Sequence, residues 1–344
     1  MRELEKRGNR GGAGMGEEVG AVGVVAIGRN EGDRLRRCLE SVVGEGRVVI
    51  YVDSGSTDGS LELARKLGAD VVELDLSVPF TAARARNAGW MHLRATYPEI
   101  ELVQFLDGDC ELVPAWLDVA QEALGVKDSL VVVCGRRRER FPEATVYNQL
   151  CDIEWDTPVG KADSCGGDAM FQMAALVEVD GFDDTSIAGE EPELCFRLRE
   201  KGWTIQRLDH EMTLHDADIT RFGQWWQRSK RAGHAYAGNF RRHPEAGFRK
   251  GEIRSAYFWG LILPLSILLL ALVLHPIFLL GYLIYPLQVL RIARHLQGGS
   301  QALSAKLRLL YALNCVASKF PHVAGLMDER KSHRAGRVEI IEYK

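Results

Sequence analysis

Leu102-Val103-Gln104-Phe105-Leu106-Asp107-Gly108-Asp109 is the stretch on which the fold turns. Its apolar run suits a buried strand, and it breaks at once into two carboxylates flanking a glycine. The same grammar recurs on either side. Residues 22–27 form an apolar run that ends at Gly28 and the polar cluster Arg29-Asn30-Glu31. Residues 47–52 are a β-branched run closed by Asp53-Ser54-Gly55-Ser56, and 70–74 and 130–134 read as further strands. Between them, 33–43, 56–66, 82–93 and 114–124 carry helical spacing, the last with Pro114 in its first turn. Alternating strands and helices predict an α/β fold, a mostly parallel sheet with helices on both faces. Such sheets bind ligands beyond the carboxyl ends of their strands, so the polar clusters 29–31, 53–55 and 107–109 are expected at one rim.

Beyond residue 140 the alternation stops. Residues 193–201 read as a helix stopped by Gly202, 203–208 and 211–214 as strands, and 221–240 as an amphipathic helix bearing Trp225, Trp226, Arg228, Lys230 and Arg231. Whole-chain averages are those of a globular protein: 344 residues, 26% charged, formal net charge −4. The averages hide an asymmetry. Residues 1–220 hold 24 basic and 41 acidic side chains, whereas 221–344 hold 19 basic and 6 acidic. The acidic front argues against a nucleic-acid partner. The seven cysteines are scattered without a C-x-x-C pair, as expected for reduced thiols in a cytoplasmic protein, and the spacing speaks against zinc. The first 20 residues lack an apolar segment and read as a disordered tail without a signal peptide.

Residues 255–290 contain no Asp, Glu, Lys or Arg. Within them 256–274 is long enough to cross a bilayer and 276–290 is shorter, with His275-Pro276 at the turn. The expectation is a membrane hairpin, of two full spans or re-entrant, kinked at Pro264 and Pro286. Arg249, Lys250 and Arg254 precede it and Arg291 and Arg294 follow, which places both ends in the cytoplasm at the inner membrane, against membrane lipids. Residues 302–327 read either as an interfacial helix on anionic lipid or as a helix packed on the main domain.

Two carboxylates one residue apart at a strand end can face one hard cation, Mg²⁺ or Mn²⁺, together with a diphosphate. Asp53, also at a strand tip, can accept from a base N–H or a ribose hydroxyl, or simply shape a turn. Asp58 suits the start of the following helix.

These residues together resemble glycosyltransferase family 2, the inverting nucleotide-sugar transferases of GT-A fold. The matching blocks are Val24 to Glu31, Val52 to Ser60, Ala83 to Gly89, Phe105 to Asp109, and Gly189-Glu190-Glu191-Pro192-Glu193-Leu194 with Arg197-Leu198, in the family's order. The resemblance implies a membrane-associated bacterial enzyme that moves a sugar from a nucleoside-diphosphate sugar to a hydroxyl acceptor, with a divalent metal; the apolar segment alone points to an acceptor that is lipid-linked or an envelope glycan. It implies Asp53 at the nucleotide base, Asp107 and Asp109 at ribose and metal-diphosphate, and Glu191 as catalytic base with Glu190 the other candidate. Asn30, Glu31, Arg84, Asp168, Arg228 and Arg231 are implied nucleotide-sugar contacts, and His215 an additional metal ligand. Ser54 departs from the second Asp often found in the base-binding motif. The Gln-x-x-Arg-Trp motif of processive synthases is absent in that form, which favours single addition. The implied organisation is a donor half at 21–125, an acceptor half at 126–250, the hairpin at 251–295 and an amphipathic segment at 296–344. The rival reading is a non-catalytic, membrane-anchored binder of sugar nucleotides.

Overall fold

The computed structural model describes residues 21–44, 46–298 and 303–336; the N-terminal tail expected at 1–20 lies outside them. Strands β1 (Ala21–Gly28), β2 (Val49–Asp53), β3 (Asp70–Glu73) and β4 (Ile100–Asp107) are linked by helices α1 (Asp33–Glu40), α2 (Ser60–Lys66) and α3 (Ala82–Thr96). Then follow β5 (Cys110–Leu112), α4 (Trp116–Gly125), β6 (Leu130–Glu139), α5 (Val146–Trp155), β7 (Gly160–Lys161), β8 (Ala169–Gln172), α6 (Met173–Glu178), α7 (Glu190–Glu200) and β9 (Thr204–His215). All nine strands join one sheet in the order β3-β2-β1-β4-β8-β6-β9-β5, with β7 on β9. The pairings make β1, β2, β3, β4, β6 and β9 run one way and β5, β7 and β8 the other. The expected mostly parallel α/β sheet is therefore present. The expected donor and acceptor halves share it, because β8 sits between β4 and β6.

Central strands are apolar on both faces because helices cover both. Val24, Val25 and Ala26 of β1 and Val103, Phe105 and Leu106 of β4 are fully buried. Chain order reverses between β1 and β4, where parallel sheets open a crevice past their carboxyl ends. Gly108 serves that junction. A Cβ there would lie 3.0 Å from the Ile27 carbonyl, to which the Gly108 N–H donates at 2.8 Å. A side chain would push the ends of β1 and β4 apart.

Local boundaries moved where tertiary contacts outweighed propensity. Helix α4 starts at Trp116, after Ala115 takes a left-handed φ of 66°, so Pro114 precedes it. The two strands expected at 203–214 are one long β9, bulged against β6.

Helix α8 (Phe222–Arg242) leads to the apolar pair. The first arm is continuous from Lys250 to Val273: α9 (Lys250–Tyr257), a π-turn over Phe258–Ile262, and α10 (Leu263–Val273). The π-turn lies just before Pro264, which supplies no N–H for the ladder. The second arm is 3₁₀ over Pro276–Leu283 and α-helical in α11 (Ile284–His295). Both arms, Lys250–Val273 and Pro276–His295, are long and apolar enough to cross a membrane, and most of their leucines are exposed. The segment expected as one helix over 302–327 divides at Ser318 into α12 (Ala305–Ala317) and α13 (Lys319–Arg334). Helix α13 packs on α8, which decides its part of that segment against a purely interfacial helix. A Cβ at Gly233 would collide with the His322 carbonyl, and one at Gly325 with the Lys230 carbonyl, so the two helices touch backbone to backbone.

Candidate active site

The crevice at the β1–β4 junction is a cavity of about 830 Å³. Its floor is the rim of the sheet, and Asn30, Glu31, Asp107, Asp109, Glu190 and His215 line it. Arg228 and Arg231 of α8 form a side wall.

The two aspartates expected to act together are sorted to different partners. Asp107 Oδ1 accepts from Arg86 Nη2 at 2.7 Å, and Oδ2 lies 3.5 Å from Arg137 Nη2. Burial would raise the Asp107 carboxyl, but the Arg86 and Arg137 guanidinium groups outweigh it and hold it down at about 2. Asp109 turns instead to His215, with Oδ2 3.3 Å from Nε2. Burial, reinforced by Arg137, pushes the His215 imidazole down to about 4, so it stays neutral with a lone pair to offer. Trp155 packs edge-on to that ring at 4.6 Å. Asp109, Cys110 and His215 bring ligand atoms within 4.8 Å of one another, and His215 Nδ1 is buried without a hydrogen-bond partner. A carboxylate and a neutral imidazole beside a diphosphate-sized cavity fit a divalent cation.

Arg86 is the residue that sequence reading missed. It is 2% exposed and bridges Asp107 to Glu190, with Nη1 2.8 Å from Oε1. Its neighbour Arg84 points the other way and donates to the carbonyls of Asp75, Val78 and Pro79. The helical spacing Ala82, Ala85, Arg86 marks the face of α3 that meets the cavity, a signal available in the sequence.

Four further expected site residues make contacts that their positions in the sequence do not reveal. Glu191 does not line the cavity. It is buried behind it, where Oε1 accepts from the Cys165 N–H at 2.5 Å and the Cys195 thiol at 3.0 Å, and burial raises its carboxyl. Glu190, one residue earlier, faces the cavity. Asp53 is 2% exposed and spends its oxygens on the β2–α2 turn, accepting from the N–H groups of Gly55 and Ser56 and the Tyr51 hydroxyl. Asp168 is fully buried beneath the rim. It accepts from the Asp107 N–H at 2.9 Å and Thr213 Oγ1 at 2.9 Å and pairs with Arg137 at 2.8 Å, an arrangement that positions Asp107. Asn30 lines the cavity, but its carbonyl oxygen accepts the Thr57 N–H and so staples the first two strand-end turns together. Glu31 pairs with Arg34 at 2.9 Å, and Arg228 makes a forked pair with Glu154 at 2.9 and 3.2 Å. Arg231 donates to the Ile187 carbonyl at 3.2 Å.

Residues 24–161 match the family model described as Glycosyl transferase family 2. The chain carries a family 2 glycosyltransferase domain. A 225-residue stretch is 23% identical to Glycosyltransferase AglE of Haloferax volcanii, over 62% of this chain and 71% of that protein. The fold of the chain is similar to that of the mannosyltransferase PcManGT from Pyrobaculum calidifontis, solved with GDP-Man and Mn²⁺. The TM-score is 0.58 at 16% identity, over 91% of this chain and 88% of that one. That likeness gives the GT-A fold, and it extends over helices beyond the matched domain.

Proposed function

We propose that this family 2 enzyme transfers a sugar from a nucleoside-diphosphate sugar to a hydroxyl acceptor, with inversion, at the cytoplasmic face of a membrane. One observation carries the reading. Glu190 faces the cavity and is tied through Arg86 to Asp107 at the tip of β4, so a base and a diphosphate-facing rim share one space.

Glu190, not Glu191, accepts the acceptor's hydroxyl proton, since only Glu190 borders the cavity. The freed oxygen attacks the anomeric carbon from the side opposite the leaving nucleoside diphosphate. Arg86 orients Glu190 and keeps Asp107 ionised. Asp109 and His215 would hold a divalent cation, Mn²⁺ or Mg²⁺, with Asp107 beside them. When bound, the cation supplies Lewis-acid stabilisation of the leaving diphosphate. The basic residues at both ends of the apolar pair, Arg249, Lys250, Arg254, Arg291 and Arg294, support a hairpin whose ends, and the catalytic domain, lie on the cytoplasmic side against membrane lipids. A lipid-linked or envelope acceptor follows from that setting, and single addition from the missing Gln-x-x-Arg-Trp motif.

The test is release of nucleoside diphosphate across a panel of donors, with and without Mn²⁺. Glu190→Gln should lower kcat by about 10²–10⁴-fold, with donor affinity retained, while Glu191→Gln retains most activity. Asp109→Ala should abolish the response to metal. Turnover that survives Glu190→Gln, or that ignores both metal and Asp109→Ala, would sink the proposal.

A further inference from the structure

The far wall of the cavity comes from the helices that follow the hairpin. Tyr311 and Asn314 of α12, and Ser318, Lys319 and His322 at the α12–α13 junction, line it together with Arg228. Two contacts hold this wall in place. Asn314 Oδ1 accepts from Trp225 Nε1 of α8 at 2.7 Å. At the other end, a Cβ on Gly260 in the π-turn of the first apolar arm would collide with the Lys319 carbonyl, so that arm and the start of α13 touch backbone to backbone. A ligand resting on the wall therefore sits beside the apolar hairpin.

The wall is polar, and the carboxylate that lines the cavity beside it, Glu154, is already paired with Arg228. Lys319 is half-buried and makes no ion pair among the described residues; burial pushes its ammonium down, and Glu252 acts on it only through space. His322 is 8% exposed, and its Nδ1 is buried without a hydrogen-bond partner. An uncompensated ammonium and an orphaned ring nitrogen both cost stability, and an anion with several acceptor oxygens relieves both. The opposite rim already has the place for the donor's diphosphate, at Asp109 and His215. We infer that the α12–α13 wall is an acceptor subsite for a phosphate ester, with Lys319 as its charge partner and the His322 ring N–H as a donor to it. The inference rests on the glycosyltransferase reading and narrows its acceptor to a phosphate-bearing hydroxyl compound. Held there, the acceptor extends its hydroxyl across the cavity toward Glu190.

The experiment uses the full chain in detergent, saturated with nucleoside diphosphate and Mn²⁺, and calorimetric titration with four probes. These are glycerol 3-phosphate, dihexanoyl phosphatidic acid, and their phosphate-free counterparts glycerol and dihexanoylglycerol. Both phosphate probes should bind and the phosphate-free ones should not. Lys319→Gln should weaken phosphate binding about tenfold, the loss of one charge-assisted hydrogen bond, with His322→Asn in the same direction. Tighter binding of the acylated probe identifies a lipid as the source of the phosphate, and equal affinity identifies a soluble ester. Phosphate probes that bind no better than their counterparts would overturn the inference, as would unchanged affinity in a folded Lys319→Gln. A nucleoside diphosphate affinity that falls as far as that of the probes would also overturn it, by assigning the cation to the donor. Loss of metal-dependent nucleotide binding in the unmodified chain would instead defeat the glycosyltransferase reading, independently of the phosphate result.

Discussion

The sheet rim at Asp107 and the helical wall at Lys319 face each other across one cavity, yet they handle charge differently. At the rim each ionic group is tied to another: Asp168 to Arg137, Arg137 to Asp107, Asp107 to Arg86, and Arg86 to Glu190. The lattice runs from beneath the sheet edge to the cavity surface and fixes its side chains before any ligand arrives. At the wall, half-buried Lys319 and buried His322 are left for something else to satisfy. The contrast is that of a preorganised reaction rim and a surface completed by its ligand. It also has a mechanical side. The rim is held by sheet hydrogen bonds, whereas the wall hangs on the Trp225–Asn314 bond and on helix–helix contacts at Gly233, Gly260 and Gly325.

Three perturbations would break or sharpen this contrast. Removing the centre of the lattice has the largest expected effect. Arg86→Met leaves Asp107 and Glu190 without their shared partner and should cost about 3–5 kcal/mol of stability by denaturant titration. Arg84→Ala, which loses only exposed bonds to loop carbonyls, should cost under about 1 kcal/mol. Equal losses for the two would refute the assignment of Arg86 as the central tie.

A smaller effect is expected where the wall is attached. Gly325→Ala drives a methyl into the Lys230 carbonyl and should cost about 1–3 kcal/mol. Hydrogen exchange should rise in α13 first, while metal-dependent nucleotide binding at the rim persists. Simultaneous loss of both would mean that rim and wall form one cooperative unit.

The smallest effect is pH-dependent. His234 on α8 is buried, neither ring nitrogen has a partner, and burial pushes its imidazole from 6.5 down to about 4. The unfolded chain then binds the proton more readily than the folded one between those values. Stability from this group is present above about 6.5 and is lost as pH falls toward about 4. His322 shifts the same way, also through burial. The α8–α13 contact should therefore loosen in mild acid, and His234→Gln should flatten the dependence of Tm on pH across that window. An unaltered slope would show that the acid sensitivity lies elsewhere.

Much of the rim was legible from local pattern. An apolar run that ends in Asp-Gly-Asp, and others that end in Asn30-Glu31 and Asp53-Ser54, are strand tips, and parallel topology gathers such tips. Which tip residue reaches the cavity was not legible. Asp53 stands at a strand end yet folds its carboxylate back onto its own turn, a choice made by the N–H groups of Gly55 and Ser56. Adjacent residues on a helix point about 100° apart. The docking of α7 against the sheet therefore decided that Glu190 faces the cavity and Glu191 faces Cys165 and Cys195. Arg86 rather than Arg84 was decided likewise by how α3 packs. The apolar, uncharged run of 255–290 announced its hairpin from composition, but not that the chain beyond it returns to the site.

The sequence by itself determined the periodicities, and with them the α/β sheet, its functional rim, and the hairpin with basic residues at both ends. These are local properties, carried by neighbours a few residues apart. Only the tertiary structure decided the partners: Asp107 with Arg86, Asp109 with His215, and Lys319 and His322 across a cavity from residues some two hundred positions earlier. Such contacts depend on where whole elements dock, and docking is set by the packing of many side chains at once, which no single stretch of sequence contains.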